Sequence, residues 1–490
     1  MRIKRRHSAR CRHPGLTRCL LAIFGLTALS AAADAETLAF VGANVVPMDQ
    51  EVVLSGQTVL VRNGVISRIG PDSTVEVPAG AKRIDARDKY LLPGLAEMHA
   101  HIPGRRQRAG WLQDVLLLFV ANGVTTARGM LGAPCHLQLQ QQIASGEVLG
   151  PRIFTSGPSL NGNTVDGTEQ ARSMVEEQAG KGYDFLKLHP GLSVEEYQVI
   201  ADTSRRLGMP FTGHVPEQVG LPMALASGQA TIEHLDGYMQ AMVPAGVATP
   251  AEPGLFGIGL TDAVDVNRIP ELARETEMAG VWNVPTLSLI ENFVAPEDPL
   301  ITAQGPGMAF VPRDMLAGWI TSKQSILDNP GYQPETAERF MEIRAKLTRT
   351  LQQQGAGLLL GSDAPEVFNV PGYSIHHELD DLVDAGLTPY QALRTGTALP
   401  AEFFGASGQF GTLVEGSEAD MILVASNPLQ DVSALRQPLG VMVRGQWLDR
   451  EEIDKRLAQV AERYSGGDYP AAAPADSPAA IHQHGPGTCE

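Results

Sequence analysis

Short runs of apolar residues, separated by turn residues, dominate the chain from residue 36 to residue 89. Three of these runs are rich in Val, Leu and Ile, residues that favour β-strands, and they lie at 38–46, 52–61 and 65–69. The pair Asn63-Gly64, which is typical of a tight hairpin turn, separates the last two runs. This first part of the chain is therefore predicted to be a group of paired strands.

The pattern changes between Tyr90 and about Pro400, where short apolar strands alternate with stretches of helical character. Such alternation is typical of a parallel α/β fold. Eight strands are predicted, near 91–98, 124–129, 151–156, 184–189, 210–214, 231–235, 282–287 and 357–362. Eight strand–helix units within about 300 residues favour a closed (β/α)8 barrel of the TIM type over residues 90–400. An open sheet fits the spacing less well, but the sequence alone leaves it open.

Strand-like segments return at 411–424 and 439–443. We expect residues 36–89 and 401–465 to join as one small β-sandwich domain, built from both ends of the chain. The last segment, 466–490, is rich in Ala, Pro, Gly and Ser and is predicted to be a disordered tail. Its two histidines, in His482-Gln483-His484, are explained more readily as solvated residues than as metal ligands.

Two connections between the predicted barrel strands are long. About 45 residues separate strands six and seven, and about 70 residues separate strands seven and eight. The first connection contains a Pro- and Gly-rich stretch at 244–259, and the second ends in a predicted helix near 336–354. Long loops at the C-terminal face of a barrel surround its active site, so both connections are predicted to form lids.

The first 35 residues are predicted to be a signal peptide. Seven basic residues lie before an apolar run at 19–29, and small residues ending in Ala33-Asp34-Ala35 follow it. This order is typical of secretory signals. The apolar run is shorter than the ~20 residues that a membrane span needs, although an uncleaved anchor is the alternative. We expect the mature protein to be exported, to the periplasm or the extracellular space, without a stable membrane span.

The charge balance argues against nucleic acid as a partner. The whole chain carries 38 basic and 55 acidic residues, a net charge of −17. The predicted leader removes seven basic residues and one acidic residue, which leaves 31 and 54, or −23. Such a surface repels phosphate backbones, so the expected partner is a small molecule or a short peptide. Only Cys135 and Cys489 lie outside the leader, which excludes a disulfide-rich scaffold.

Histidines gather at the predicted strand ends. His99 and His101 close the first strand, and residues i and i+2 of a strand point to the same face. Neutral imidazole is a good ligand for zinc and related metals, although this pair alone is explained equally well by a structural role. Of the eight histidines outside the leader and the tail, His214 and His234 also lie at strand ends, and His189 lies near one. Barrel enzymes keep their catalytic groups there, which favours ligation.

Two charged residues lie within or directly after apolar strands that would bury them. Lys187 lies in the fourth strand, and Asp363 follows the eighth, Leu358-Leu359-Leu360-Gly361-Ser362. A buried charge is unfavourable unless it is paired, and a bound cation would compensate both residues. Reaction of Lys187 with carbon dioxide would give an anionic carbamate able to bridge two metals. The alternatives are a plain Lys187–Asp363 ion pair, or Asp363 as a helix cap.

These motifs together resemble the amidohydrolase superfamily. In detail the chain is similar to the imidazolonepropionase-related branch, which includes secreted Xaa-Pro dipeptidases and carboxypeptidases. The resemblance spans about residues 37–450 and is specific for the superfamily but much weaker for the substrate. It rests on Leu92-Pro93-Gly94-Leu95 before His99-Ala100-His101, and on Gly123-Val124-Thr125-Thr126, Gly150-Pro151-Arg152-Ile153, Phe185-Leu186-Lys187, Gly213-His214-Val215, Ile232-Glu233-His234, Gly361-Ser362-Asp363 and Gly416-Ser417-Glu418-Ala419-Asp420-Met421-Ile422-Leu423.

The resemblance implies a centre of two divalent metal ions. His99, His101 and Asp363 would hold one ion, His214 and His234 the other, and carbamylated Lys187 would bridge them. Zinc is the default expectation, while the ligand types also allow manganese, cobalt or iron. A metal-activated hydroxide would attack the amide carbonyl, and Asp363 would take the proton and pass it to the leaving nitrogen.

Four further residues are predicted to bind substrate. His189 shares a strand face with Lys187, at a position where similar proteins often have Tyr. Tyr238 lies four residues after His234, and core or lid packing is its alternative role. Arg105 and Arg106 follow the first strand and could bind a substrate carboxylate, or could be solvated loop charges.

Other candidate residues have ordinary structural explanations. His376-His377-Glu378 opens a helix after strand eight, where a pocket-lining role and a plain helix surface are equally plausible. Cys135 and His136 lie together, but nothing else completes a metal or nucleophile set around them.

The sequence thus predicts a metal-dependent enzyme that cleaves carbon–nitrogen bonds, most naturally those of dipeptides or N-acyl amino acids. A cyclic-amide or xenobiotic, mycotoxin-type amide hydrolase is the neighbouring alternative. An alternative of another class is a non-catalytic binding protein on the same barrel, although such a protein would be expected to have lost ligands. No Gly-x-Ser-x-Gly elbow or Gly-rich phosphate loop occurs at a suitable place. A homo-oligomer is compatible with the sequence.

Overall fold

The computed structural model describes residues 37–104 and 110–465. The predicted signal peptide, the predicted tail and the two candidate substrate-binding residues Arg105 and Arg106 lie outside the described residues. Within the described part, no helix combines the length and the apolar character that crossing a membrane would require.

Strands and helices alternate through the middle of the chain, and strands dominate both of its ends. The strands are β1 Thr37–Val45, β2 Leu54–Arg62, β3 Val65–Pro71, β4 Lys82–Asp85, β5 Tyr90–Pro93, β6 Leu95–Ala100, β7 Val124–Gly129, β8 Arg152–Thr155, β9 Leu186–Leu188, β10 Phe211–Gly213, β11 Thr231–Glu233, β12 Trp282–Val284, β13 Met421–Val424, β14 Gly440–Val443 and β15 Gln446–Asp449. The helices are α1 Trp111–Ala121, α2 His136–Ala144, α3 Gly167–Lys181, α4 Val194–Leu207, α5 Gly220–Ser227, α6 Tyr238–Met242, α7 Ile269–Ala279, α8 Leu287–Val294, α9 Pro299–Thr302, α10 Arg313–Leu327, α11 Pro334–Gln354, α12 Ser374–Asp384, α13 Pro389–Thr395, α14 Ala398–Phe403 and α15 Arg450–Ser465.

Strands from the two ends of the chain pair in one mixed sheet. Its order is β15-β14-β13-β5-β1-β2-β3, and β4 pairs with β1. The junction is β5, which pairs in parallel with β1 and antiparallel with β13. Apolar side chains of both ends, including Phe40, Val59 and Met421, form one buried cluster beneath this sheet. Residues at opposite ends of the sequence therefore fold together.

The first predicted barrel strand, 91–98, is two strands in the structure. Pro93 ends β5 in the mixed sheet, and Leu95 begins β6, which pairs in parallel with β7. Gly94 lies between them, where an added Cβ would stand 2.1 Å from Oγ1 of Thr125. Only glycine allows this close approach, so the chain passes from one sheet to the other at this residue.

The middle of the chain contains two parallel sheets, in the orders β6-β7-β8 and β9-β10-β11-β12. Isolated parallel bridges connect β8 to β9 at Ser156–Phe185 and at the neighbouring pair Leu160–Leu188. The eighth predicted strand is an irregular segment that bridges β12 through Leu358 and β6 through Ala364. Helices follow the strands along the chain, so this part has an α/β fold.

The two long connections contain helices of their own. The connection from β11 to β12 contains α6 and α7, and the one from β12 to the segment at 358 contains α8 to α11. The predicted helix near 336–354 is confirmed as α11. Phe256, in the Pro- and Gly-rich stretch, has a positive φ of 51°, which a bulky residue rarely adopts.

Candidate metal centre

Five imidazole rings form a continuous arc at the C-terminal ends of the parallel strands. His101 and His99, at the end of β6, have ring centres 5.6 Å apart. The ring of His99 lies 4.8 Å from that of His234, which follows β11. His234 lies 4.8 Å from His214, which follows β10, and His214 lies 5.0 Å from His189, which follows β9. The structure thus brings together all five histidines that the sequence placed at or near strand ends.

Asp363 faces this arc from the segment that follows residue 358. Its Oδ1 lies 3.4 Å from Nε2 of His99 and 3.2 Å from Nε2 of His101. Its Oδ2 lies 3.6 Å from Nε2 of His234. Donor atoms of His99, His101 and Asp363 all lie within 4.8 Å of one another, close enough to hold one metal ion.

Several residues at the centre have a backbone conformation that non-glycine residues rarely adopt. The φ angle is 57° at His234, 64° at Asp363 and 48° at Thr286. Each left-handed residue costs about 1–3 kcal/mol, and such strain concentrates at functional sites. The surrounding fold therefore holds these three side chains in unfavourable backbone positions where they face the arc.

His99 is oriented by a buried pair of charges. Its Nδ1 donates a hydrogen bond of 2.8 Å to Oε2 of Glu233. The other oxygen of Glu233 accepts a hydrogen bond of 2.8 Å from Nη2 of Arg128, and it is also hydrogen-bonded to Thr231. Arg128 donates further to the carbonyl of Met98, the residue before His99. The carboxylate and the guanidinium together fix the ring, so Nε2 of His99 faces the centre.

His214 and His234 are oriented in the same manner. Nδ1 of His214 is hydrogen-bonded to Oδ2 of Asp236 at 2.7 Å. Nδ1 of His234 is hydrogen-bonded to Oγ1 of Thr286 at 2.7 Å. A partner at one ring nitrogen sets the tautomer and the orientation of the ring, as such partners do for histidines that bind metals.

The two rings at the ends of the arc also have partners at Nδ1. Nδ1 of His101 lies 3.2 Å from Oε1 of the buried Glu366. Nδ1 of His189 shares a hydrogen bond of 2.6 Å with Oγ of Ser159. A single arrangement therefore applies to all five rings. The sequence reasoning did not identify any of these orienting side chains, although Glu233 and Asp236 flank His234 in the chain and were the easiest to find.

Glu97 connects the strand that ends in His99 with the segment that carries Asp363. Its Oε1 accepts hydrogen bonds from the backbone N–H of His99 at 3.0 Å and of Ser362 at 2.9 Å. Its Oε2 accepts a hydrogen bond of 2.5 Å from Oγ of Ser362. Burial raises the pKa of Glu97 to about 8, although these hydrogen bonds act to lower it. This carboxyl group fixes the distance between two predicted ligand positions.

Four buried polar atoms at the centre have no hydrogen-bond partner. They are Nε2 of His99, Nε2 of His101, Nζ of Lys187 and Oδ1 of Asp363. An unsatisfied buried polar group costs about 1–3 kcal/mol, and more when it is charged. Imidazole nitrogens with a carboxylate oxygen are ligands that zinc and similar divalent cations prefer. The residues present therefore fit a divalent metal ion.

Burial shifts the pKa of both charged residues at the centre. It raises the pKa of Asp363 to about 7, although the positive charges of His101 and Lys187 act to lower it. It lowers the pKa of Lys187 to about 8, against the attraction of Glu233 and Asp363. The buried amine of Lys187 is thus easier to deprotonate than an exposed one, and only a neutral amine reacts with carbon dioxide.

The other candidate residues lie elsewhere. Tyr238 is fully buried, and its hydroxyl is hydrogen-bonded to Thr276 at 2.7 Å and to Asn283 at 3.1 Å. Its position corresponds to core packing and not to the expected substrate contact, because its only polar atom is engaged in the interior. His136 and His376 are also buried, and burial lowers the pKa of each to about 4. Cys135, next to His136, is buried as well.

A residue from each of the two predicted lids contacts His234. The partly buried ring of Phe256 has its centre 5.4 Å from that of His234 and 6.1 Å from that of Phe293. The carbonyl of His234 also accepts a hydrogen bond from the fully buried Arg344, on the last helix of the other long connection. Both long connections therefore reach the centre at His234.

Comparisons with known proteins agree with this geometry. A model of the amidohydrolase family matches residues 90–448. Ochratoxinase from Aspergillus niger is 22% identical over 426 residues, which cover 72% of this chain and 74% of that protein. The solved structure of a bottromycin amidohydrolase has a TM-score of 0.67 at 24% identity and covers 87% of this chain and 90% of its own. A putative prolidase from Bifidobacterium longum has a TM-score of 0.63 at 23% identity and covers 87% and 99%. At these identities the solved structures establish a shared fold.

Proposed function

The chain belongs to the amidohydrolase family, and on that premise we propose that it cleaves amide bonds of dipeptides or N-acyl amino acids at a two-metal centre. Family membership itself makes it a hydrolase of carbon–nitrogen bonds. The observation that carries the proposal is the convergence of four buried, unpartnered donor atoms, from His99, His101, Lys187 and Asp363.

The strand contacts support a closed (β/α)8 barrel as the frame of this centre. The bridges at Ser156–Phe185 connect the two parallel sheets, and those of Leu358 and Ala364 connect their outer strands through one further segment. In the proposed barrel, eight strand positions would follow one another around a ring, with the five imidazoles at its C-terminal end, where barrel enzymes hold their catalytic groups.

The proposed ligand sets follow the sequence. His99, His101 and Asp363 would hold one ion, and His214 and His234 the other. Lys187, carbamylated at Nζ, would contribute oxygen atoms to both. Bound divalent cations, by default Zn²⁺, supply Lewis acidity and lower the pKa of water towards neutrality.

Asp363 is positioned to move protons. Its carboxylate lies among the proposed ligands, where it would accept a proton from the attacking water and release it to the leaving nitrogen. Its Oδ1 lies 3.4 Å from Nε2 of His99 and 3.2 Å from Nε2 of His101. His189, fixed through Ser159, presents its ring at the end of the arc, and we assign it to the binding of substrate. Arg105 and Arg106 stay candidates for the substrate carboxylate.

The substrate class is proposed from relatives and chemistry together. The names of the ochratoxinase and the putative prolidase indicate a mycotoxin for one and a dipeptide for the other. A panel of blocked dipeptides, N-acyl amino acids, cyclic amides and ochratoxin-type amides, assayed with zinc-loaded protein, tests the proposal. Release of a free C-terminal amino acid from blocked dipeptides is the expected result. Turnover of only the cyclic or xenobiotic amides would replace this substrate class with the alternative one.

A binding protein without activity is the alternative of another class. It predicts no turnover across the whole panel and fewer than about one metal ion per chain.

We also propose export through the leader at residues 1–35, together with a small-molecule or short-peptide substrate. The N-terminal sequence of protein secreted from a host cell tests the leader, and cleavage after Ala35 is expected.

A further inference from the structure

A second group of ligand-type side chains lies between two helices and shares no residue with the centre described above. Glu291 lies on α8, and His377 and Asp381 lie one turn apart on α12. One donor atom of each residue lies within 4.8 Å of the others. We propose that these three residues form a further divalent-metal site, which we call the helix-bridging site.

The distances fit a metal with small adjustments. Nε2 of His377 lies 2.9 Å from Oε2 of Glu291 and 3.6 Å from Oδ1 of Asp381. Two ligand atoms at about 2.0–2.2 Å from a tetrahedral zinc ion are about 3.4 Å apart. The two distances from His377 therefore need to change by only a few tenths of an ångström, and the oxygens of Glu291 and Asp381 lie within 4.8 Å of each other. The positions i and i+4 place His377 and Asp381 on the same helix face, as a shared ion requires.

The local charges also favour a cation. Three carboxyl groups, of Glu291, Glu378 and Asp381, lie around the single imidazole of His377. Asp381 is subject to the charges of His377, Glu378 and Glu291 and also of its neighbour Asp380. Among the described residues, no lysine or arginine forms an ion pair with any of these carboxyl groups. Oδ2 of Asp381 and Oε1 of Glu378 are buried and have no hydrogen-bond partner. Lys323 and Arg344 act on Glu291 and Glu378 without forming an ion pair with them, so a divalent ion would be the positive charge in direct contact with these carboxyl groups.

Solvent access is sufficient for an ion to enter and for water to complete its coordination. The side chains of Glu291 and His377 are 41% and 44% exposed, while Asp381 is 16% exposed. His377 also lines a cavity of about 1110 Å³ that opens beside the helix. One imidazole with two carboxylates favours zinc, manganese, cobalt or nickel over calcium, which prefers oxygen ligands alone.

An ion at the helix-bridging site would clamp two helices that support the catalytic centre. α8 begins directly after Thr286, whose hydroxyl orients His234. α12 is already tied to α8 by the 2.8 Å hydrogen bond from the backbone N–H of Ser288 to Glu378. The ion would add a second connection between the same helices, and its role is therefore structural.

The test is the number of zinc ions bound by the full chain after chelator treatment and titration with Zn²⁺. His377→Ala and the nearly isosteric Asp381→Asn each remove one ligand. Asp202→Asn is the matched control, because Asp202 is an exposed carboxylate whose partner is Arg205. Wild type and the control are expected to bind one zinc equivalent more than either site variant, and Zn²⁺ should raise their Tm further.

Equal zinc numbers in all four proteins would overturn the proposal and leave an ion pair of His377 with its two carboxylates. Should His377→Ala fail to fold, the comparison of Asp381→Asn with Asp202→Asn decides the matter alone. The difference of one equivalent does not depend on the catalytic centre. If the catalytic centre bound no metal, the wild-type chain would still bind one zinc ion at the helix-bridging site, and the site variants would bind none. The helix-bridging site and the catalytic centre are therefore tested independently.

Discussion

Glu233 accepts a hydrogen bond of 2.8 Å from Nδ1 of His99. Because His234 follows Glu233 directly, the end of β11 supplies one proposed ligand and the group that orients another. A shift of this strand end would therefore move His234 and release His99 together. The two proposed metal positions are mechanically coupled through this one strand.

Replacement of Asp363 by Asn is expected to lower kcat by about 10²- to 10⁴-fold, because the amide cannot accept and release the proton. The measurement is steady-state kinetics on the best substrate of the panel, with zinc content determined on the same samples. Asp262→Asn, which changes an exposed carboxylate paired with Arg339, should leave kcat unchanged. Full activity of Asp363→Asn at full zinc content would contradict the assigned role.

Thr286→Val is expected to weaken zinc binding by about 10-fold, since it removes the hydrogen bond that orients His234 while keeping the side-chain shape. Competition with a chromophoric chelator measures the affinity. Thr276→Val is the control, because this buried hydroxyl is bonded to Tyr238 in the interior. It should lower stability without any effect on zinc affinity. The same zinc affinity in both variants would show that Thr286 does not orient a ligand.

The buried His376 is expected to make the free energy of unfolding depend on pH. Burial lowers its pKa to about 4, although the hydrogen bond that its Nε2 donates to the carbonyl of Asn122 acts to raise it. The unfolded chain takes up this proton below about pH 6.5, but the folded chain does so only near pH 4. The free energy of unfolding therefore falls by up to roughly 3 kcal/mol between these pH values, and this contribution is fully present above pH 6.5.

The measurement is urea-induced unfolding of wild type and His376→Gln across this pH range. Glutamine stays neutral, so the variant should lose this part of the pH dependence while keeping a donor for Asn122. Parallel stability–pH curves for the two proteins would mean that His376 titrates normally in the fold.

Phe256→Ala tests whether the connection between β11 and β12 acts as a lid. Loss of an aromatic contact of about 0.5–1.5 kcal/mol should raise KM roughly 2- to 10-fold with little change in Tm. Phe310→Ala is the comparison, since that ring stacks on Tyr373 at 5.5 Å. A KM unchanged in Phe256→Ala would place Phe256 outside the substrate path.

The convergence of the proposed ligands could be predicted from the sequence because strand geometry makes their placement local. His99 and His101 share a face by alternation, and a buried Lys187 or Asp363 stands out in an apolar run. The orienting residues could not be predicted in the same way, because their partners are distant. Glu233 and His99 are separated by 134 positions, and Glu97 and Ser362 by 265.

The misplaced expectations have equally specific causes. Tyr238, four residues after His234, was expected to contact substrate, with core or lid packing as the alternative, but His234, Leu235 and Gly237 all have positive φ values. These left-handed residues turn the chain away from the arc before α6 begins, so Tyr238 points into the interior. The break at Gly94 was also invisible, because apolar residues continue on both sides of it.

The pairing of β5 with both β1 and β13 limits where the chain can be shortened for expression. A fragment cut at the family boundaries, 90–448, would lack β1 to β4, the last residue of β15 and the whole of the final helix. Its first strand, β5, would lose its pairing with β1 and become an exposed edge, directly before Gly94 and β6. Unpaired strand edges promote aggregation. Soluble and active protein therefore requires the N-terminal strands, even though they contribute no residue to the metal centre.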